Sequence, residues 1–175
     1  MTDEQPRLEA VEGQSAALET LEADAARLST SAVATANVND LTAETSAFGM
    51  VNAANAASAT WSVAGVLASN AEVSLSQGGA GAIFAGGNAS VSQGGAEVVV
   101  AGGNVTMDRA GAGVVAARSV TITQGWVGVI ASPEAHVAEG VTVLFGPRQA
   151  VAAAAAFGAV FAAVLALFLA ASRRR

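Results

Sequence analysis

Apolar and polar positions in the middle of the chain repeat every 16 residues. In rows of 16 from Ser62, the sequence reads SVAGVLASNAEVSLSQ, GGAGAIFAGGNASVSQ and GGAEVVVAGGNVTMDR, then AGAGVVAARSVTITQ, one residue short, and GWVGVIASPEAHVAEG. A looser row, SAFGMVNAANAASATW, precedes them from Ser46, and the half row VTVLFGPR follows Gly140. A fixed period of this length indicates six stacked structural repeats.

Two parts of each row alternate between apolar and polar residues. The sixth position is aliphatic in every row: Val51, Leu67, Ile83, Val99, Val115 and Ile130. The second half alternates apolar residues with Ser and Thr, as in VSLS and VTIT. Period-two alternation predicts two short strands per coil, with inward residues stacked from coil to coil. The sequence therefore predicts an all-β protein, a parallel β-solenoid of about six 16-residue coils. A β-sandwich of hairpins is the alternative, but it does not require equivalent positions to match at constant spacing.

Glycine pairs recur between the two strands of a coil and between coils. They are Gly78-Gly79, Gly86-Gly87, Gly94-Gly95 and Gly102-Gly103. We expect them to form the tight corners and to supply the unusual backbone angles found there.

The two predicted sheets differ on their outer faces. The second strand presents Ser and Thr, whereas the first strand presents apolar residues: Phe48 and Met50 in the first row, and the third, fifth and seventh positions of the later rows as far as Ala131. An exposed apolar strip of this length is large for a soluble monomer, so it should be covered by a partner subunit, a copy of the chain or the chain's own N-terminal segment. The candidate contact residues on this face are Val66, Phe84, Val98, Val100, Val114 and Val129.

The N-terminal segment shows a different spacing. From Pro6 to Leu28, apolar residues including Leu18 and Leu21 fall on one side of a helical projection and acidic residues elsewhere. This spacing predicts an acidic amphipathic helix, which would dock on a partner or on the solenoid, or form a short coiled coil. Residues 31–45, rich in Ser, Thr, Ala and Asn, are interpreted as a linker.

A 22-residue run without charge, from Ala150 to Ala171, is long enough to cross a hydrocarbon core of about 30 Å as a helix. Small residues recur in it at every fourth position and would allow close approach of a second helix. These are Ala154, Gly158, Ala162, Ala166 and Ala170. The predicted organisation is thus a helix in 1–30, a linker in 31–45, the β-solenoid in 46–148, a transmembrane helix in 149–172 and a basic tail in 173–175.

Membrane topology follows from two opposing signals. The residues flanking the predicted membrane helix are Arg148 before it and Arg173, Arg174 and Arg175 after it, which favours a cytoplasmic C-terminus. The first residues lack the basic and apolar regions of a signal peptide, which favours a cytoplasmic bulk instead. We prefer the cytoplasmic bulk, with membrane lipid contacting a single C-terminal helix.

Composition excludes most catalytic chemistry. The chain has 175 residues with a net charge of −6, one His, no Cys and no Lys, so thiol chemistry and Schiff-base lysines are impossible. A basic stripe for nucleic acid is absent from the sequence. Ile83 stands where a calcium β-roll repeat needs Asp, so no cofactor or metal is expected. His136, assigned to an inward position, is the one candidate for a left-handed β-helix acyltransferase, and no acidic partner accompanies it at a telling spacing.

The short V-x-V strands closed by Gly-Gly or Asn corners, from Ser46 to Gly146, resemble those of bactofilins and related polymer-forming β-solenoids. The resemblance implies a structural, non-enzymatic role and end-to-end assembly. The leading hypothesis is a membrane-anchored scaffold or accessory subunit of a larger complex, which binds other subunits or copies of itself and no small-molecule substrate. A self-polymerising cytoskeletal element and the acyltransferase are the alternatives.

Overall fold

A computed structural model describes residues 8–14 and 17–145, and within these residues the chain is all-β. The strands are β1 (Leu8–Gln14), β2 (Ala17–Ser29), β3 (Ala32–Glu44), β4 (Ala47–Thr60), β5 (Val63–Ser69), β6 (Glu72–Ser76), β7 (Gly79–Ala85), β8 (Ala89–Ser92), β9 (Gly95–Ala101), β10 (Asn104–Asp108), β11 (Ala110–Ala116), β12 (Ser119–Ile122), β13 (Gly125–Ala131), β14 (Glu134–Val137) and β15 (Thr142–Phe145). No helix occurs among these residues.

The prediction of a parallel β-solenoid is confirmed, with about eight turns rather than six. Every strand pair is parallel, and from Ala47 to Gly111 residues at the same row position pair at intervals of 16, as in Val63↔Gly79↔Gly95. Strand β4 joins both halves of the stack, since its first part pairs with β5 and its second part with β6. From β5 to β14 each coil contains two strands, as the alternation predicts.

The extra coils lie where a helix and a linker were expected. That prediction is wrong for residues 8–14 and 17–29, which form β1 and β2, and for the linker, most of which is β3. These coils have 15 residues, and Leu21 pairs with Ala36 as Ala36 pairs with Val51. Each carries one continuous strand of 13 residues instead of two short ones.

The core is a column of aliphatic side chains inside the stack. Every sixth-position residue named above is fully buried at 0% exposure, and the inward residues of the second strands are buried equally well. The latter include Val73, Leu75, Val91, Val105, Met107, Val120 and Ile122. Burial of this stacked apolar surface is the main force that holds successive coils together.

The first strand of each coil bends at its fourth position. Gly65 and Val66, at the fourth and fifth positions, both lie on the outer side, so the alternation is interrupted there. The bend turns the third position inward: Ala64, Ala112 and Val127 are at most 3% exposed. The assignment of third positions to the outer face is therefore wrong. Glycine suits the bend because a Cβ on Gly65 would lie 2.5 Å from the carbonyl oxygen of Gly49 in the preceding coil.

Left-handed backbone angles occur at the last residue of a coil, not at the glycine pairs. Six non-glycine residues adopt φ between 48° and 54°: Thr30, Thr45, Trp61, Gln77, Gln93 and Arg109. The paired glycines have no positive φ; several are needed because a side chain there would strike the backbone of the neighbouring coil. The reason proposed for these glycines is thus wrong, although their place at the corners is correct.

Thr45→Gly is expected to raise the free energy of unfolding by about 0.5–1 kcal/mol, since relief of left-handed strain exceeds the entropy that glycine adds to the unfolded chain. The substitution keeps the 2.9 Å backbone hydrogen bond that the Thr45 N–H donates to the Thr60 carbonyl. Thermal unfolding measures the change. Thr60→Gly, at a position without positive φ, is the control and should lower the melting temperature; a lower melting temperature for Thr45→Gly would contradict the strain argument.

The predicted transmembrane helix and basic tail lie outside the described residues. Within residues 8–14 and 17–145, no helix is long and apolar enough to cross a membrane.

Candidate docking surface

Two ladders of outward side chains run side by side along the solenoid. One joins Met50, Val66, Ala82, Val98, Val114 and Val129, and the other joins Ala68, Phe84, Val100, Ala116 and Ala131. We call these eleven residues the apolar strip. It contains no charged or hydrogen-bonding side chain, and all six predicted contact residues belong to it.

The larger side chains of the apolar strip are accessible. Phe84 is 44% exposed, Val114 39% and Val100 37%, whereas Val66, Val98 and Val129 are half-buried against their neighbours. Because the third positions are inward, the strip is narrower than the sequence suggested. Five strand spacings give a length of about 24 Å, and two ladders two residues apart, with their side chains, give a width of about 12 Å, so the area is about 300 Å². That lies within the range of the largest apolar patch on a monomer, which is often functional.

The strip ends sharply toward the N-terminus. The second ladder already has Asn52 beside Met50, and in the preceding coils the two ladders continue as Thr35 and Asn37, and then as Thr20 and Glu22. The apolar surface is therefore confined to the coils from Met50 to Ala131 and is bounded by polar and acidic side chains.

The opposite sheet, which we call the hydroxyl face, carries outward Ser and Thr as predicted. The Ser92 hydroxyl donates to that of Ser76 at 3.1 Å, and the Thr123 hydroxyl donates to an Asp108 carboxylate oxygen at 2.7 Å. The bond from Thr123 lowers the pKa of Asp108 below its usual value. These contacts describe a solvated surface whose polar groups satisfy one another or water.

A second surface feature was not predicted. Gly79, Gly95 and Gly111 leave a cleft of about 410 Å³ on the outer side of the first strands, with Trp126 at one end. Trp126 is 53% exposed and leans over Gly111, where a Cβ would lie 2.5 Å from the indole Nε1. The sequence pattern predicts the glycine pairs only as corners and does not predict that glycines form the floor of a cleft.

His136 lies on the outside of the solenoid, not in an inward position. The last full coil has its extra residue near Gly140, so Ala135 pairs with Val120 and His136 with Thr121 of the hydroxyl face. The His136 side chain is exposed, and within the described part of the chain no group of three or more His, Asp and Glu side chains could hold a metal ion. His136 borders a shallow depression lined by Thr121, Thr123 and Val137, without a carboxylate.

The predicted membrane contacts, Ala154 to Ala170, and the flanking Arg148 and Arg173 to Arg175 lie outside the described residues. Comparisons with protein-family models, with curated proteins and with solved structures find no match to this chain.

Proposed function

We propose that the protein is a non-enzymatic, membrane-anchored scaffold or accessory subunit whose solenoid docks on partner subunits through the apolar strip. One observation carries the proposal: an uncharged strip with exposed Phe84, Val100 and Val114 runs along one side of the stack, and the opposite sheet is polar. Aromatic and aliphatic anchors flanked by polar surface are typical of docking sites.

The size of the strip explains why a second contact is included in the proposal. A stable interface buries about 800 Å² on each partner, more than the strip of about 300 Å² provides. The small-residue seam from Ala154 to Ala170 would supply additional contact within the bilayer. Two weak contacts in one chain reinforce each other because the first raises the effective concentration of the second.

Val98→Asp combined with Val100→Asp tests the proposal. Two carboxylates on the strip should release the partner, because burying unpaired charges costs several kcal/mol. The native mass of the detergent-extracted complex measures the result. We expect foreign subunits in the wild-type complex and their loss from the double variant.

Ser90→Asp with Ser92→Asp is the matched control, since it adds the same charge to the hydroxyl face. It should leave the complex intact, and thermal unfolding should show that both variants remain folded. Retention of foreign subunits by the Val98 and Val100 variant would contradict docking through the strip.

The self-polymerising element is the second candidate, and the C-terminal end of the described stack favours it. Val137 is 40% exposed and Leu144 63% exposed there, on the last strands β14 and β15. Parallel strands at an open end can pair with another copy, although Pro133, Glu134 and Glu139 oppose such pairing. An open-ended series of homopolymer masses in the same measurement would support this candidate, and a compact trimer would support the acyltransferase.

A further inference from the structure

We propose that residues 150–172, when they are not in a bilayer, lie as a helix along the apolar strip of their own solenoid. The chain would then cover its docking surface until the helix enters a membrane. This inference rests on the proposed function only in identifying the strip as the partner surface; the covering itself requires no partner.

The described chain ends beside the strip. In β15, the backbone of Phe145 pairs with Val129, one strand beyond the ladder that runs through Val114 and Val98. Only residues 146–149 separate it from the uncharged segment. An apolar segment that begins there can turn back along the strip without a long connection.

The length of the segment fits the distance from the C-terminal end of the strip to the acidic coils. Seven strand-to-strand steps lead from Ala131 back to Glu22, through the seventh position of each coil. At about 4.8 Å per step they span about 34 Å. Residues 150–172 would form a helix of about 34 Å at 1.5 Å per residue. About the first 16 residues of the segment would lie over the strip, and the rest would pass the uncharged rungs of Asn52 and Asn37 to reach Glu22.

Charge complementarity sets the direction of the helix. Arg173, Arg174 and Arg175 follow the segment directly and would arrive at the rung of Glu22. Glu22 and Glu19 are both exposed in that coil, in line with or beside the strip. The uncharged and the basic parts of the C-terminal segment thus match the uncharged and the acidic parts of the solenoid in the same order.

The limited area of the strip favours the chain's own segment over a second copy. About 300 Å² per partner is too little for a stable dimer. A tethered segment binds at a millimolar effective concentration, so the same small area suffices. Bilayer insertion buries the segment more completely, and we therefore expect membrane lipid to displace it and to expose the strip.

Cysteine cross-linking tests this arrangement, because the chain contains no native Cys. Four steps from Ala131 lead to Ala68, a distance of about 19 Å or about 13 helical residues, which places residue 163 there. The full chain carrying Ala68→Cys and Ala163→Cys is treated with a short bismaleimide, once in lipid-free buffer and once in phosphatidylcholine vesicles. We expect an intramolecular product without lipid and about tenfold less of it in vesicles, because insertion shifts the population.

Ser74→Cys with Ala163→Cys is the matched control, since Ser74 lies in the same coil but on the hydroxyl face. Equal yields from the two pairs, a product of dimer mass, or no lipid-free product would each overturn the inference. Glu22→Lys should also lower the yield, whereas Glu44→Lys on the hydroxyl face should not. The cross-linking result does not depend on the native mass of the complex. If the expected cross-link forms but the Val98 and Val100 variant keeps its foreign subunits, the proposed function is rejected and this inference stands.

Discussion

Replacement of Gly86 by Ala is expected to lower the free energy of unfolding by about 3 kcal/mol, a large effect for one methyl group. A Cβ on Gly86 would overlap the carbonyl oxygen of Asn70 and lie 2.7 Å from its carbonyl carbon. The Gly86 N–H donates to the Ser69 carbonyl at 2.8 Å, so the residue cannot move away without loss of this bond. Gly102 stacks on Gly86 in the same way, and a shift at one coil is therefore passed to the next.

Gly79→Ala is the matched control for this prediction. A Cβ on Gly79 would have the Gly95 carbonyl oxygen, 4.0 Å away, as its nearest neighbour. Neither glycine has a positive φ, so the pair of variants separates crowding from backbone strain. Urea unfolding followed by circular dichroism should show a change of about 0.5 kcal/mol or less for Gly79→Ala. Equal losses in the two variants would contradict the crowding argument.

The repeat from Ser46 to Gly140 was predictable because its strands are short and regular. Inward residues there alternate at period two in the second strands and beyond the bend of the first strands, and the 16-residue spacing keeps them in register. Both properties are visible in the letters of the sequence, and the structure confirms the solenoid they predict.

The first coils were mistaken for a helix because of how a solenoid bends. Where two successive residues face outward, the inward residues on either side are three apart, as Leu18 and Leu21 are, and again Ala23 and Ala26. Spacings of three and four residues are the signature of an amphipathic helix. The pairing of Leu21 with Ala36 and Val51 distinguishes the two structures, but it requires recognition of a 15-residue period without glycine pairs.

The same bends limit how well the candidate site could be predicted. The fifth and seventh positions were correctly placed outside, since they follow the bend within one alternating strand. The third position precedes the bend, so period-two counting across it assigns Ala64 and Val127 to the wrong side. His136 was assigned to the wrong side for a similar reason. The last full coil is one residue longer than the coil before it, and the place of the extra residue decides whether His136 pairs with inward Val120 or with outward Thr121.

Ile83 and Phe84 are adjacent in β7, but truncation of Ile83 should lower stability whereas truncation of Phe84 should weaken partner association. Ile83 is fully buried between Leu67 and Val99 of the neighbouring coils, so Ile83→Ala should lower the free energy of unfolding by about 3 kcal/mol through lost burial and a residual cavity. Phe84 is 44% exposed on the apolar strip. Phe84→Ala should change stability by about 0.5 kcal/mol and weaken partner association about tenfold, because Phe84 is the largest side chain of the strip.

Urea unfolding of the two variants in phosphatidylcholine vesicles, where the strip is expected to be uncovered, and the native mass of the extracted complex measure these effects separately. A loss of stability for Phe84→Ala as large as that for Ile83→Ala would mean that the strip packs against the body of the protein at all times. Loss of association in Ile83→Ala beyond its unfolded fraction would mean that the core column, not the strip, determines docking. The expected result assigns one face of a single strand to folding and the other to assembly, because successive side chains of a strand point to opposite sides.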